Sequence, residues 1–314
     1  MSITDSGADN GVVLPASILD TDLYKFTMQQ AVLHHFPDVH ATYKFTHRDK
    51  DVFFPRHCFE RFKLSVSHFG ELRLSDTEHR WLAEACPYFS PDYLQYVAAY
   101  RFKTDQVHLE FEPVSEDGRL GNIHIEAGGP WVETILWEVP LMACLSEIYF
   151  KTVDTDWNYD GQEVNSARDD AAPFTPRNSS CRASSELHEI YPEREIVRNN
   201  NVYLAFKYGV TAVGTIAHEW FMAVGALRGY EHANAIALNL WEDVYPEVLH
   251  LALTDTFSTE AFYKDFLQNK EQAVKWAGLR QDSGDPFIYA PRAKEVYMQL
   301  NIDYHKKMII FSDA

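Results

Sequence analysis

Positive charge is scarce in this chain: 28 Lys and Arg face 46 Asp and Glu over 314 residues, a formal net charge of −18. Such a surface repels nucleic acid and anionic lipid headgroups, so neither is expected as a partner. A phosphorylated small molecule remains compatible, but only through local arginines, backbone N–H groups or a metal. Cysteine is sparse too. Cys58, Cys86, Cys144 and Cys181 form no C-x-x-C pair, which argues against a zinc ribbon, a redox dithiol and a disulfide scaffold and suits a reducing compartment. The opening MSITDSGADNG has neither a basic start nor an apolar centre, so it is not a secretory signal. No apolar run approaches the ~18 residues that a membrane span requires. G-x-G-x-x-G and G-x-x-x-x-G-K-[ST] are both missing, so a nucleotide would have to bind another way. HEWFM begins like the zinc-protease H-E-x-x-H, but Met222 stands where the second ligand is needed. His34 and His35 have no acidic or cysteine neighbour to complete a metal site.

Apolar residues, by contrast, are plentiful at 46%, with 14% aromatic, enough for a packed core. The length points to two domains or one large α/β unit. Residues 1–17 read as a flexible leader. From Asp20 a helix is expected, with Tyr24, Met28, Ala31 and Val32 on one face and Asp20 and Asp22 at its positive end. His40–Thr46 alternates as a half-buried strand, Ala41, Tyr43 and Phe45 inward. Helical patches follow at Glu78–Cys86 and Asp92–Tyr100, then strands at Val107–Phe111 and Ile123–Ala127, closed by Gly128-Gly129-Pro130. Trp131–Phe150 is apolar and long enough for one buried helix. Residues 18–150 thus form an expected N-terminal α+β domain, and 151–200 a connecting segment of unusual composition.

From residue 201 the rhythm changes. Val202–Tyr208 is helical until Gly209 stops it, and a strand ends at Val213. Further apolar runs at Leu249–Leu253, Trp276–Leu279 and Lys307–Phe311 are each followed by polar residues, and helix-like stretches follow all but the last. The repeat suits βα units of a parallel sheet, most simply part of a β/α barrel over residues 201–314. In such a fold the residues just past the strand ends meet at one rim. Here these are Thr215 and His218, then Asp255, then Arg280, Asp282 and Asp285, then Ser312 and Asp313. Carboxylates of this kind can order magnesium through oxygen, arginine can grip a carboxylate or phosphate, and histidine can act as base or nucleophile. Plainer roles stand beside these. Asp and Ser after a strand commonly cap the next helix, Asp282-Ser-Gly-Asp-Pro can be a tight turn, and a lone histidine at such a junction is more often structural. The recurrence of polar residues after every strand favours a site.

The segments DTDLYKFTM, WVETILWEVPLMACLSEIYF, DWNYDGQE, NVYLAFKYGV, GTIAHEW, ALTDTF and RQDSGDP occur in the order seen in nicotinate phosphoribosyltransferases. The chain resembles that family, most closely its fungal members, from Leu19 to Ala314. The resemblance implies a type II phosphoribosyltransferase fold, an N-terminal α+β domain packed on an irregular β/α barrel, working as a homodimer in the cytoplasm, with the nucleus open as a second compartment. It implies that nicotinate and phosphoribosyl pyrophosphate are joined to give nicotinate mononucleotide and pyrophosphate, with ATP as co-substrate and Mg2+ as cofactor, at the entry from nicotinate to NAD. By position, His218 matches the histidine that ATP phosphorylates transiently. Tyr24, Thr215 and Arg280 match residues at the nicotinate site. Asp255, Asp282 and Asp285 are weaker candidates for ordering magnesium, ribose or diphosphate oxygens, and no dedicated protein cage for the metal is expected.

Two departures qualify this. Where the family carries F-G-T-R-R-R, the chain is altered around residues 163–200, with 164–200 reading VNSARDDAAPFTPRNSSCRASSELHEIYPEREIVRNN, and Phe174-Thr175-Pro176-Arg177 is only a distant echo, so no role passes to Arg177. An error in the gene model accounts for the segment most simply, a divergent enzyme being the alternative. The chain also stops at Ser312-Asp313-Ala314, where family chains continue to further strands and an F-G-I-G-T-type phosphate loop. The expectation is therefore an incomplete barrel with an apolar sheet edge left open. The rival functional readings are a non-catalytic fragment or partner subunit of the same family and, more narrowly, a transferase acting on nicotinamide or quinolinate.

Overall fold

The computed structural model describes residues 11–49, 51–156 and 198–312. The leader's first ten residues and most of the atypical 163–200 segment lie outside them, as does Asp313. The described residues fall into two units whose segments interleave along the chain.

The first unit takes residues 11–21, 36–82 and 91–156. Its sheet is antiparallel. The long strand β4 (Leu120–Pro130) pairs with β1 (His40–Lys44), β2 (Phe54–Pro55) and β3 (Val107–Pro113). β1 alternates between exposed and half-buried positions as its sequence predicts, with Ala41 and Tyr43 on the inner side. The helices α2 (Arg56–Ser67), α3 (Asp76–Ala85) and α4 (Pro91–Ala99) follow the expected order. Ser75 and Glu78 form a reciprocal capping box at the start of α3, Ser75 N–H and hydroxyl donating to Glu78 Oε2 at 2.8 and 2.7 Å.

Two expectations for this unit need correcting. Residues 11–17 are not part of a free leader: Val13 is buried, its N–H donates to Ser65 Oγ at 2.9 Å, and Arg61 Nε donates to Gly11 O at 2.7 Å. The apolar stretch 131–150 is not one helix but two, α5 (Trp131–Thr134) and α6 (Glu138–Thr152). Pro140 explains the break. It has no N–H to give to the preceding turn, a loss that costs nothing only in the first turn of a helix, so α6 starts anew just before it.

The second unit takes residues 22–35, 83–90 and 198–312. It contains the parallel pair β5 (Arg198–Asn199) and β6 (Thr211–Ala212), and the parallel sheet β7 (Leu251–Leu253), β8 (Gly278–Gln281) and β9 (Met308–Phe311). The helix α7 (Val202–Tyr208) lies between β5 and β6 and ends at Gly209, whose φ of 67° is the left-handed conformation that halts a helix. After β6 come α8 (His218–Arg228) and α9 (Ala233–Val244). Then α10 (Thr259–Phe266) and α11 (Lys270–Lys275) follow β7, and α12 (Pro286–Gln299) follows β8. The strand–helix alternation is the one read from the apolar runs. Trp220, Trp241, Tyr245, Trp276 and Leu279 are buried in this core.

Helix α1 (Leu23–His35), assigned to the N-terminal domain from its place in the sequence, clusters with this second unit. Its burial is also wider than the one apolar face predicts, because every residue from Lys25 to Val32 is buried. Its polar side chains are matched internally. Gln30 Nε2 donates to Tyr88 O at 3.2 Å and Gln30 Oε1 accepts from Ser90 N–H at 2.7 Å, while Thr27 Oγ1 donates to Tyr24 O at 3.1 Å. A buried helix needs this satisfaction, and a periodicity test that counts only apolar residues misses it. Among the described residues, no helix is long and apolar enough to cross a membrane.

Trp220 carries much of the second unit's packing: it is fully buried, meets Trp241 edge to face with centroids 5.8 Å apart, and donates Nε1–H to Ala237 O at 2.9 Å. Trp220→Ala is expected to lower unfolding free energy by about 3–5 kcal/mol in urea titrations. Met222→Ala, on the exposed side of the same helix, should change it by no more than about 0.5 kcal/mol. Equal effects from both would contradict this placement of the core.

Candidate active site

The polar residues that trail the parallel strands do come together. β6 leads into Gly214 and Thr215, and α8 opens with His218 as its first residue. β7 is followed by Thr254, Asp255 and Thr256, β8 contributes Arg280 and leads into Asp282, and β9 leads into Ser312. Parallel register delivers the residues of β7, β8 and β9 to the same end of their sheet, Leu253 pairing with Arg280 and Arg280 with Ile310, while Thr215 and His218 arrive from the separate β5–β6 pair.

His218 is held at both ring nitrogens. Nδ1 lies 3.0 Å from Thr256 Oγ1, and Nε2 lies 3.1 Å from Asp282 Oδ2. Its side chain is 38% exposed, so one side of the imidazole is open. Asp282 is the centre of the cluster. Its Oδ1 accepts from Arg280 Nη2 and from the Ser312 hydroxyl, and its backbone N–H donates to Asp255 Oδ2 at 3.2 Å. The His218 ring, then the Ser312 hydroxyl and the charge of Arg280, hold the Asp282 carboxyl well below the usual carboxylate range, although partial burial opposes them. Asp282 is therefore an anion throughout the neutral range.

An ionised carboxylate only accepts hydrogen bonds. Nε2 must therefore carry the imidazole proton, which leaves the lone pair of a neutral ring on Nδ1, facing the Thr256 hydroxyl. This tautomer is assigned from the bonding network rather than from hydrogen positions.

Arg280 does not present an open fork. Nε donates to Ser312 Oγ at 2.7 Å, Nη1 to Thr215 Oγ1 at 2.6 Å and to the Ile216 carbonyl, and Nη2 to Asp282. The guanidinium thus ties β8, the loop before α8 and the residue after β9 into one piece. Asp255 is 6% exposed; Ser283 Oγ donates to its Oδ2 at 2.5 Å, while its Oδ1 is buried without a hydrogen-bond partner, 3.9 Å from His218 Nε2. Asp285 stands apart. It is exposed and caps α12, its Oδ1 accepting from Phe287 N–H at 2.8 Å, the plainer of the two roles considered for it. Tyr24, in the first turn of α1, reaches this region through the backbone: a Cβ on Gly214 would lie 3.0 Å from Tyr24 N and 3.1 Å from Leu23 Cβ, so a side chain there would require these neighbours to give by a few tenths of an ångström.

Sequence reasoning missed Thr256, which contacts the histidine, although it directly follows Asp255 past the end of β7. It also missed Lys25, a cation inside an apolar helix. Among the described residues, no group of three or more His, Cys, Asp or Glu side chains is arranged to hold a metal ion.

A pH titration tests the Asp282 assignment. Because its carboxyl is depressed in the folded state, its contribution to stability is complete above the unfolded value of roughly 3.9 and is lost as pH falls through the lower folded value. The stability gap between wild type and Asp282→Asn, read from urea midpoints, should shrink as pH falls below about 4. A gap that persists undiminished to the acid limit of folding would contradict the assignment.

Comparison with known proteins identifies the family. Residues 19–146 match the model of the nicotinate phosphoribosyltransferase (NAPRTase) N-terminal domain, and residues 187–314 match that of the nicotinate phosphoribosyltransferase (NAPRTase) family. The nicotinate phosphoribosyltransferase of Methanosarcina mazei is 39% identical, covering 95% of this chain and 78% of its own. That of Saccharomyces cerevisiae is 33% identical over 95% of this chain and 75% of its own, so the similarity is not specifically fungal. The crystal structure of nicotinate phosphoribosyltransferase from Porphyromonas gingivalis superimposes with a TM-score of 0.84 at 31% identity, covering 95% of this chain and 78% of that one. These matches favour an enzyme over a non-catalytic fragment, and fit the type II phosphoribosyltransferase fold. This chain belongs to the nicotinate phosphoribosyltransferase family.

Proposed function

We propose that the protein joins nicotinate to phosphoribosyl pyrophosphate, forming nicotinate mononucleotide and pyrophosphate, and that it couples this reaction to ATP through His218. The observation that carries the reading is the chain of contacts from Thr256 through His218 and Asp282 to Arg280 and Thr215. Asp282 fixes the ring and supplies charge that stabilises the imidazole as it gains positive character. Nδ1 attacks the γ-phosphorus of ATP, the bond to the bridging oxygen breaks, and ADP leaves. The phosphoryl group then lies beside the first turn of α8, where backbone N–H groups and the positive helix end favour an anion.

In the transfer itself, the nicotinate ring nitrogen attacks the anomeric carbon while the bond to pyrophosphate breaks. Positive charge develops on the ribose and negative charge on the leaving group, so fixed carboxylates and cations lower the barrier without reorganising. Asp255 Oδ1, buried and unpaired, is suited to a ribose hydroxyl or to Mg2+. One carboxylate oxygen is not a cage, so the metal would be held largely by substrate phosphates, and it would supply charge neutralisation there. We assign nicotinate to the neighbourhood of Tyr24 and Thr215, with Arg280 setting the position of Thr215. Asp285 is left with its capping role. Homodimer formation and a cytoplasmic location belong to the same proposal, the first measurable by sedimentation and the second by imaging the tagged chain.

Incubation with ATP labelled at the γ-phosphate should transfer label to the wild-type chain and not to His218→Ala. Phosphorus–nitrogen NMR of the labelled protein should place the phosphoryl group on Nδ1. Equal labelling of both proteins would remove His218 from the role, and a phosphoryl group on Nε2 would refute the assigned tautomer.

A further inference from the structure

Lys25 is a cation almost wholly removed from water. Its side chain is 2% exposed, and Nζ pairs with Glu219 Oε2 at 2.9 Å. A lysine is retained in such a position only when the cost of dehydration is met by a well-placed anion. The positions of both partners matter more than the pair itself. Glu219 directly follows His218 in the first turn of α8, and Lys25 directly follows Tyr24 in the first turn of α1. Lys25 Nζ also lies 5.4 Å from the centroid of the Tyr24 ring, within cation–π range. The close passage of Gly214 against Leu23 and Tyr24 makes a second contact between the same two segments. A partly buried ion pair thus joins the helix that carries the proposed nicotinate-side tyrosine to the helix that carries the proposed phosphoryl acceptor.

We propose that the Lys25–Glu219 pair is the positioning contact through which the charge on His218 is felt at Tyr24, so that phosphorylation tightens the nicotinate site. The inference rests on the reading of His218 as the phosphoryl acceptor. A phosphoryl group on His218 places new negative charge one residue from Glu219, at the same helix start. Lys25 answers both anions, and a shift of its ammonium toward the phosphoryl group changes its hold on the Tyr24 ring. Neither residue touches the reacting atoms.

The test compares KM for nicotinate with and without ATP, alongside γ-phosphate labelling. In the wild type, ATP should lower KM by about tenfold, a typical coupling between sites. In Lys25→Met the label should still appear on His218, while the ATP effect on KM falls to about twofold or less, and Lys25→Arg should restore it. Glu219→Gln should abolish the effect in the same way, and the double variant should lose no more than either single one. Glu219→Gln also serves if Lys25→Met does not fold. A labelled Lys25→Met or Glu219→Gln with the full wild-type ATP effect and only a lower melting temperature would overturn the coupling while leaving His218 in its role. A wild-type chain that takes no label would overturn the role of His218, and the coupling with it.

Discussion

The site depends on one anion. Asp282 accepts from His218, Arg280 and Ser312, and the residues that meet on it follow or end different strands of the second unit. Without that charge the arginine would have no buried counter-ion and the imidazole no reason to prefer one tautomer. Chemistry and local architecture therefore share a cause: the group that orients the histidine also locks the strand ends together. Arg280 does the complementary work, binding Thr215 on one side and Ser312 on the other.

The placement of His218 at the start of α8 follows from sequence in a simple way. A short strand and a loop around Gly214 deliver the chain to the beginning of a helix, where the backbone N–H groups have no partners of their own. Such a position suits a residue that acquires negative charge. The neighbouring carboxylate of Glu219 is compatible with the same helix end, and its pairing with a buried lysine keeps it from opposing a second anion.

How much of this was legible beforehand varied by kind of evidence. The parallel strands of the second unit were readable because they are short apolar runs ended by polar residues, and β7, β8 and β9 lie where those runs do. The convergence of Asp255, Arg280 and Asp282 followed from topology, since strand ends in a parallel sheet meet at one rim; His218, which follows the separate β5–β6 pair, joins them through Asp282. What escaped was tertiary. Pro140 divides an apolar stretch that composition alone presents as continuous. The all-round burial of α1 is invisible to a search for one apolar face, because its buried polar residues are satisfied by distant parts of the chain. Arg280 looked like an open substrate clamp because sequence cannot show that Thr215 and Ser312 lie within its reach. Asp285 and Asp282, three residues apart in one motif, received different roles: the first faces a helix end, the second a histidine.

The central claim is that an ionised Asp282 forces the proton of His218 onto Nε2 and leaves Nδ1 as the nucleophile. Long-range proton–nitrogen correlation spectra of the protein labelled with nitrogen-15 in its histidines report the two ring nitrogens separately. The account requires that, in the neutral His218 ring, the protonated nitrogen be Nε2 and the bare one Nδ1. A neutral ring protonated at Nδ1 would contradict it.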